Sequence, residues 1–454
     1  MSIDSSTTQL AAKMASLMPA IRSDLESLVR IPSVGFPGFD PVHMRESAEA
    51  TAVILEKAGY QNVRVIEVPD GHPAVYGEVL VEEGSPTVLL YAHHDVQPEG
   101  LADQWKTPPF EPDERDGRLY GRGVCDDKSG IMMHAAALMA FDGQPPVNLK
   151  VIVEGEEECT TAHLDFLIRE HAELLRADAV VVADSGNWSK GQPALTTSLR
   201  GAIEVRIQLR TIEKALHSGA YGGPVPDAIM SMSRLIASLH NDDGSIAVEG
   251  LASGEAEGAP QIDEREFLSK AGVLDGVRRL GGGPIPDQIW RGTSISVVGM
   301  DVPSVREASW QLVPVATATV TMRIPPGQDP EAAADALVAH LEANVPWGAH
   351  AQIEVVDVSQ PFETPPSGHF FIAHSRALAD AWGVEPVYMG EGGSVPIVPL
   401  LAEVMPGIEV LLTGPADEDC AAHSLDESID LGEFELSCLA EALFLANAAK
   451  EVTS

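Results

Sequence analysis

The chain has 454 residues, of which 44% are hydrophobic, and its 68 acidic against 29 basic residues give a net charge of −39. So large an acidic excess is repelled by phosphate backbones and anionic lipid, which argues against nucleic-acid and membrane binding. The length calls for two or three domains, and the mix of apolar segments with scattered Gly and Pro reads as globular.

Four Cys are too few for a disulfide framework. The start, MSIDSSTTQLAAKM, lacks a basic segment followed by an apolar core, and no apolar run is long enough to span a bilayer. The expected setting is reduced and cytoplasmic. Cys125, Cys159 and Cys420 lie close in sequence to the candidate site, and the plain reading of them is as small buried side chains.

In chain order, the spacing of Leu10, Met14, Leu17, Ile21, Leu25 and Leu28 predicts a helix over 8–30, stopped by Pro32. A second helix is predicted over 43–58, then strands near 62–68 and 74–80. Residues 87–92 form an apolar strand that ends in His93-His94-Asp95. Residues i and i+2 of an extended segment share a face, so Asp95 is placed to orient His93 as a metal ligand. Residues 97–118, with four prolines, read as a loop. A helix is predicted over 128–141, beginning just after Asp126-Asp127.

Two more apolar strands follow, at 149–153 and 179–183. The first runs into Glu154-Gly155-Glu156-Glu157-Glu158 and the second into Asp184, with a helix over 163–175 between them. Strands alternating with helices imply a mostly parallel sheet covered by helices, an α/β fold whose ligands bind at the carboxyl ends of the strands. From Arg200 the pattern changes. Strands at 202–210, 295–299, 315–324 and 351–357, with helices at 226–240 and 329–343, suggest an inserted α+β domain; 243–293 reads as long loops. A helix at 369–382, a strand at 408–413 and a helix at 432–449 complete the chain.

Three apolar strands therefore each end in His, Glu or Asp. Imidazole and carboxylate donors together suit zinc. The candidates are His93, Asp126, Glu157, Glu158, Asp184 and a late His423. Two dications would be balanced by Asp126, Glu158, Asp184 and one bridging hydroxide, leaving Glu157 free as a proton shuttle. Taken singly, these residues have plainer readings. Asp127 fits a helix N-cap, Glu154 and Glu156 a solvated turn, and His94 a packing residue.

The motifs YAHHDVQP, LYGRGVCDDKSG, EGEEE, VADS, LHSGAYGGPVPDA, RIPP, EGGSVP and the late His423 occur in an order that resembles the co-catalytic di-zinc amidohydrolases. That family includes carnosinases, cytosolic non-specific dipeptidases, acetylornithine deacetylase and succinyl-diaminopimelate desuccinylase. The resemblance implies that His93 and Asp184 bind one metal, Glu158 and His423 the other, and that Asp126 bridges them. It makes Glu157 the general base acting on a hydroxide shared by two metals, Zn2+ first and Mn2+ or Co2+ otherwise. His217 would stabilise the oxyanion, and Arg323 with the Gly393-Ser394 turn would hold a substrate carboxylate. A cis peptide between Asp126 and Asp127 is also implied.

The sequence departs from the common pattern at His94, at Cys159-Thr160-Thr161 and in the Ser-Leu-Asp-Glu that follows His423. The function expected is hydrolysis of dipeptides with a free C-terminal carboxylate. The alternatives are an N-acyl amino acid deacylase and a non-catalytic binding protein on the same fold. The expected organisation is a catalytic domain from 1–199 and 360–454, with a lid and homodimerisation domain over 200–359.

Overall fold

The computed structural model describes residues 5–451. The chain divides into two compact units. The first takes residues up to Thr197, Thr364–Met389 and the chain from Val395; the second takes Ser198–Glu363 and Gly390–Ser394.

In the first unit the strands lie in the order Gln61–Ile66, Ala74–Val79, Asn148–Glu154, Thr87–His93, Ala179–Val182, Glu409–Leu412 and Ala194–Leu199. The four from Asn148–Glu154 to Glu409–Leu412 pair parallel, and the flanking pairs are antiparallel. The sheet is thus mixed with a parallel centre. The central strands are the continuous apolar runs, because both their faces are covered. Val88, Leu89 and Leu90 have no exposed surface, and each such side chain contributes roughly 1.5–3 kcal/mol on burial.

Register decides what these strands deliver. His93 pairs with Glu154, and Tyr91 pairs with Val182. The chain therefore leaves three neighbouring strands at one edge, into His93–Asp95, Glu156–Glu158 and Asp184. Behind that edge runs the helix Lys128–Ala140, buried over almost its whole surface and packed on the helices Ser5–Val29 and Leu431–Glu451 and on the strand Thr87–His93. A helix that is apolar all round belongs in a core.

The second unit is a four-stranded antiparallel sheet in the order Ser294–Asp301, Val315–Ile324, Gly201–Arg210 and His350–Ser359. Val315–Ile324 alternates between buried and half-buried residues. The helices Ala228–Ala237 and Pro330–Ala343 pack on the buried face, around Val205, Ile207, Val320 and Leu337. Asp227 and Asp329 cap their N-termini, accepting bonds from Met230 and Ala332 backbone N–H groups.

Several elements differ from the sequence expectation. The segment read as a loop over 97–118 contains strand Asp113–Arg115, which forms a hairpin with Arg118–Tyr120; the latter pairs with Ser428–Asp430. The helix expected over 163–175 breaks at His171 into Leu164–Glu170 and Ala172–Leu175. Within 243–293 lie short helices at Glu264–Lys270 and Ile285–Trp290. The strand Ala194–Leu199 is not foreshadowed, because its Thr196-Thr197-Ser198 interrupts any apolar pattern and only the sheet buries it. Among the described residues, no helix is long and apolar enough to cross a membrane.

Candidate dinuclear metal centre

At the sheet edge, two groups of three donors share one carboxylate. His93, Asp126 and Asp184 form one group; Asp126, Glu158 and His423 form the other; within each, the donor atoms lie within 4.8 Å of one another. Asp126 turns one oxygen to each group. Its Oδ1 is 3.1 Å from His93 Nε2, and its Oδ2 is 2.9 Å from His423 Nε2. Asp184 Oδ1 lies 3.9 Å from His93 Nε2, and Glu158 Oε2 lies 3.1 Å from His423 Nε2. All five residues belong to the first unit.

The electrostatics show a cluster that favours added positive charge. Donating hydrogen bonds to Asp126 and then to Glu158 pushes His423 up to about 11, against the effect of burial. Burial opposes charge on His93, yet bonding to Asp126, Asp184 and Asp95 holds it well above the usual imidazole range. Burial also opposes charge on Asp126, but His423 and His93 hold it below the usual carboxylate range. Burial and the neighbouring carboxylates push Asp184 up to about 6, although His93 pulls the other way. Carboxylates converge here on two imidazoles and draw positive charge into the cluster. Divalent cations would supply that charge, and N/O donors in threes around a shared carboxylate fit two of them.

Glu157 lies beside this cluster. Burial, and then the charge on Asp184, push its carboxyl well up; Glu158 and Asp126 add to the effect. That environment favours a carboxyl that can carry a proton. Asp95, expected to orient His93, does lie next to it: its Oδ1 is 3.4 Å from His93 Nδ1, while its backbone oxygen is nearer, at 3.1 Å. Asp95 Oδ2 also accepts a bond from the Glu158 N–H at 2.9 Å, tying the two ligand loops together. His94 is buried with Nε2 2.8 Å from the Pro73 carbonyl, and burial lowers it to about 4. It belongs to neither ligand group.

The loops are held by residues that sequence reasoning passed over. Glu427, four residues after His423, is fully buried. Its Oε1 accepts bonds from the Cys125 and Asp126 N–H groups at 3.0 and 3.1 Å. Its Oε2 accepts from Gly123 N–H at 3.0 Å and from Arg122 Nη1 at 2.7 Å. One carboxylate thus joins the Asp126 loop to the His423 loop. His423 itself has φ +60°, and Ala421 and Asp426 are left-handed as well. Non-glycine residues adopt this backbone only where surroundings enforce it. Asp127 caps the Lys128–Ala140 helix through Gly130 N–H, as expected, and also accepts from His93 N–H. Its peptide bond with Asp126 is cis. Buried Lys128 donates to the Leu28 and Ile31 carbonyls, fastening the first helix to the site.

The remaining candidates lie in the second unit. Arg323 Nη1 donates to Ser394 Oγ at 3.2 Å, and a side chain at Gly393 would meet open space. Arg200, not singled out in the sequence, donates to the Gly392 and Gly292 carbonyls and to Ser294 Oγ. Burial, and then the charge of Arg323, lower it to about 10. Ser294, which Arg200 bonds, pairs with Arg323 across the sheet, so the two guanidiniums are near neighbours, an arrangement that favours an anion. His217 is exposed, with Nδ1 accepting from Gly219 N–H at 3.0 Å.

Paired three-donor groups that share a carboxylate, with Glu157 alongside, have the composition of a dinuclear metallohydrolase site. Comparison with known proteins agrees. The profile of Peptidase family M20/M25/M40 matches residues 89–447, and the chain belongs to that family. A cysteinylglycine-S-conjugate dipeptidase from Corynebacterium striatum is 36% identical over 412 residues, covering 89% of this chain and 90% of that one. The Cys-Gly metallodipeptidase DUG1 of Saccharomyces cerevisiae is 27% identical over 94% of this chain and 95% of its own. Among solved structures, yeast Dug1p superposes with a TM-score of 0.83 at 25% identity, covering 98% of this chain and 99% of that one. Human carnosine dipeptidase 1 has the same fold, with a TM-score of 0.84 at 23% identity over 98% and 99% of the two chains. The protein is a metallopeptidase whose relatives are dipeptidases.

Proposed function

We propose that the chain hydrolyses the amide bond of dipeptides bearing a free C-terminal carboxylate, with two divalent ions, Zn2+ in the first instance. The observation that carries this reading is Asp126, with one oxygen facing each donor group. His93 and Asp184 would hold one ion and Glu158 and His423 the other, with Asp126 common to both. Bound there, such ions polarise the scissile carbonyl and acidify water. Glu157 takes the proton from the attacking water and returns it to the departing amine nitrogen, so it ends the cycle as it began. Asp95 keeps the His93 ring in place.

On the second unit, Arg323 with the Gly393-Ser394 turn is assigned to the substrate's carboxylate, and His217 to the oxyanion. The second unit also carries the surface for a homodimer. Val305 and Trp310 are 95% and 87% exposed, and the edge strand Ser294–Asp301 presents Val297, Val298 and Met300. Exposed apolar groups on an unpaired edge are an association surface. The setting assigned is cytoplasmic.

A substrate panel tests the reading. Cys-Gly, β-Ala-His and further dipeptides are compared with N-acetyl and N-succinyl amino acids by kcat/KM. Dipeptides are expected to exceed acylated amino acids by about 100-fold or more. Turnover confined to acylated amino acids would make the chain a deacylase.

A further inference from the structure

A second donor cluster stands beside the first, sharing none of its ligands. His72, Glu156 and Cys159 each offer one ligand atom, and the three atoms lie within 4.8 Å of one another. They come from two loops: His72 precedes the strand Ala74–Val79, and Glu156 and Cys159 follow Asn148–Glu154. We propose that these residues form a third metal site, for a thiophilic divalent cation such as Zn2+, at the back of the Glu157-Glu158 turn.

The cluster is built as metal sites are built. His72 Nε2 is 2.9 Å from the Gly35 carbonyl oxygen, and the His72 N–H donates to Glu156 Oε1 at 3.1 Å. His163 Nδ1 lies 2.9 Å from Glu156 Oε2 and fixes that carboxylate from the other side. The Gly35 and His163 bonds orient ligands from outside the donor set, and the His72–Glu156 bond ties two ligand residues to each other. Glu156 is buried, and His72 and Cys159 are half-buried, so the donors are screened yet open to an entering ion.

Two glycines give them room. A Cβ at Gly35 would come within 2.9 Å of Cys159 Sγ and 3.3 Å of the His72 ring. A Cβ at Gly71 would come within 2.8 Å of His163 Nδ1 and 2.9 Å of Glu156 Oε2. Any side chain at either position would push a donor, or the residue that orients one, out of place.

The donor set selects the ion. Thiolate, imidazole and carboxylate together favour zinc over magnesium or calcium, and three protein ligands leave a fourth, tetrahedral position for water. On binding, the Cys159 thiol gives its proton to solvent. The thiolate and the Glu156 carboxylate then balance the dication. Glu156 and Cys159 flank Glu157 and Glu158, so an ion here fixes the turn that carries the general base and one ligand of the first centre.

Cobalt substitution separates this site from the dinuclear centre. Both groups of that centre have only nitrogen and oxygen donors, so they cannot give a thiolate-to-cobalt charge-transfer band. The full-length chain, stripped of metal and titrated with Co2+, is expected to take up about three ions, one of them with that near-ultraviolet band. Cys159→Ser and His72→Ala are each expected to abolish the band and one equivalent, and to keep the other two. Cys125→Ser, Cys420→Ser and Cys438→Ser should retain the band. Two ions bound without the band would overturn this site and leave the dinuclear reading standing. A band with only one ion bound would support this site and count against the dinuclear reading. A band that survives Cys159→Ser would overturn the assignment.

Discussion

Glu157→Gln is expected to lower kcat by a factor of about 10^2–10^4, the usual worth of a positioned general base, while metal content stays at the wild-type level. Glutamine has the shape of glutamate but cannot take up and release the proton that hydrolysis moves from water to the leaving nitrogen. Glu157 is the acidic residue of this turn that the donor groups do not use: Glu158 belongs to one of them, and Glu156 bonds the His72 N–H and His163. The burial that raises its affinity for a proton, and the charge of Asp184 that adds to it, act on a carboxyl held close to the ligands. A substitution that removes one negative charge without touching a ligand should leave the ions bound. Metal analysis and steady-state kinetics on the same preparation make the test. Turnover within tenfold of wild type would place the base elsewhere.

The second large effect is expected at Glu427, which touches no substrate. Glu427→Ala leaves the Arg122 guanidinium, whose side chain is 3% exposed, without its carboxylate. Breaking a buried pair in this way costs about 3–5 kcal/mol. The N–H groups of Gly123, Cys125 and Asp126 lose their acceptor as well, each at roughly 1–3 kcal/mol where water cannot replace it. The expected result is a large fall in Tm. Glu427→Gln is the gentler variant. Its amide oxygen can still serve one pair of donors, but its NH2 then faces Gly123 N–H or Asp126 N–H. The Asp126 loop loosens, and metal affinity is expected to drop at least tenfold, of the order seen when orienting partners of metal ligands are removed. Wild-type Tm and metal affinity in both variants would show that the hub does not hold the ligands.

Glu427 also shows where sequence reading stops. The strands ending at His93, before Glu157-Glu158 and before Asp184 were legible because each is a short apolar run closed by ligand-type residues. Their alignment at one edge follows from parallel pairing. His423 was legible only through its company with the other motifs, since a lone late histidine has no pattern of its own. Nothing local marks Glu427 as a hub: its partners at 122–126 are about 300 residues away in the chain. Lys128 is a lysine at the start of a helix, where a solvent-facing role is the ordinary expectation, yet it is wholly buried because two carbonyls of the first helix's end reach it. Arg200 could have been found from its place before Gly201, where the strand pattern changes, but its neighbour Arg323 is brought to it only by the pairing of Gly201–Arg210 with Val315–Ile324. The strand Ala194–Leu199 and the hairpin at 113–120 escaped for a related reason, since their residues are ordinary for loops and are buried or paired by tertiary contacts.

The central claim, that Asp126 serves two ions at once, is tested most directly by restoring metal to the stripped protein while following Cys-Gly hydrolysis. Cys159→Ser is the background to use, so that the proposed third site does not contribute. Turnover is expected to be absent from the metal-free protein and to reach its plateau only as bound Zn2+ approaches about two ions per chain. Full turnover with one ion, or without metal, would contradict it.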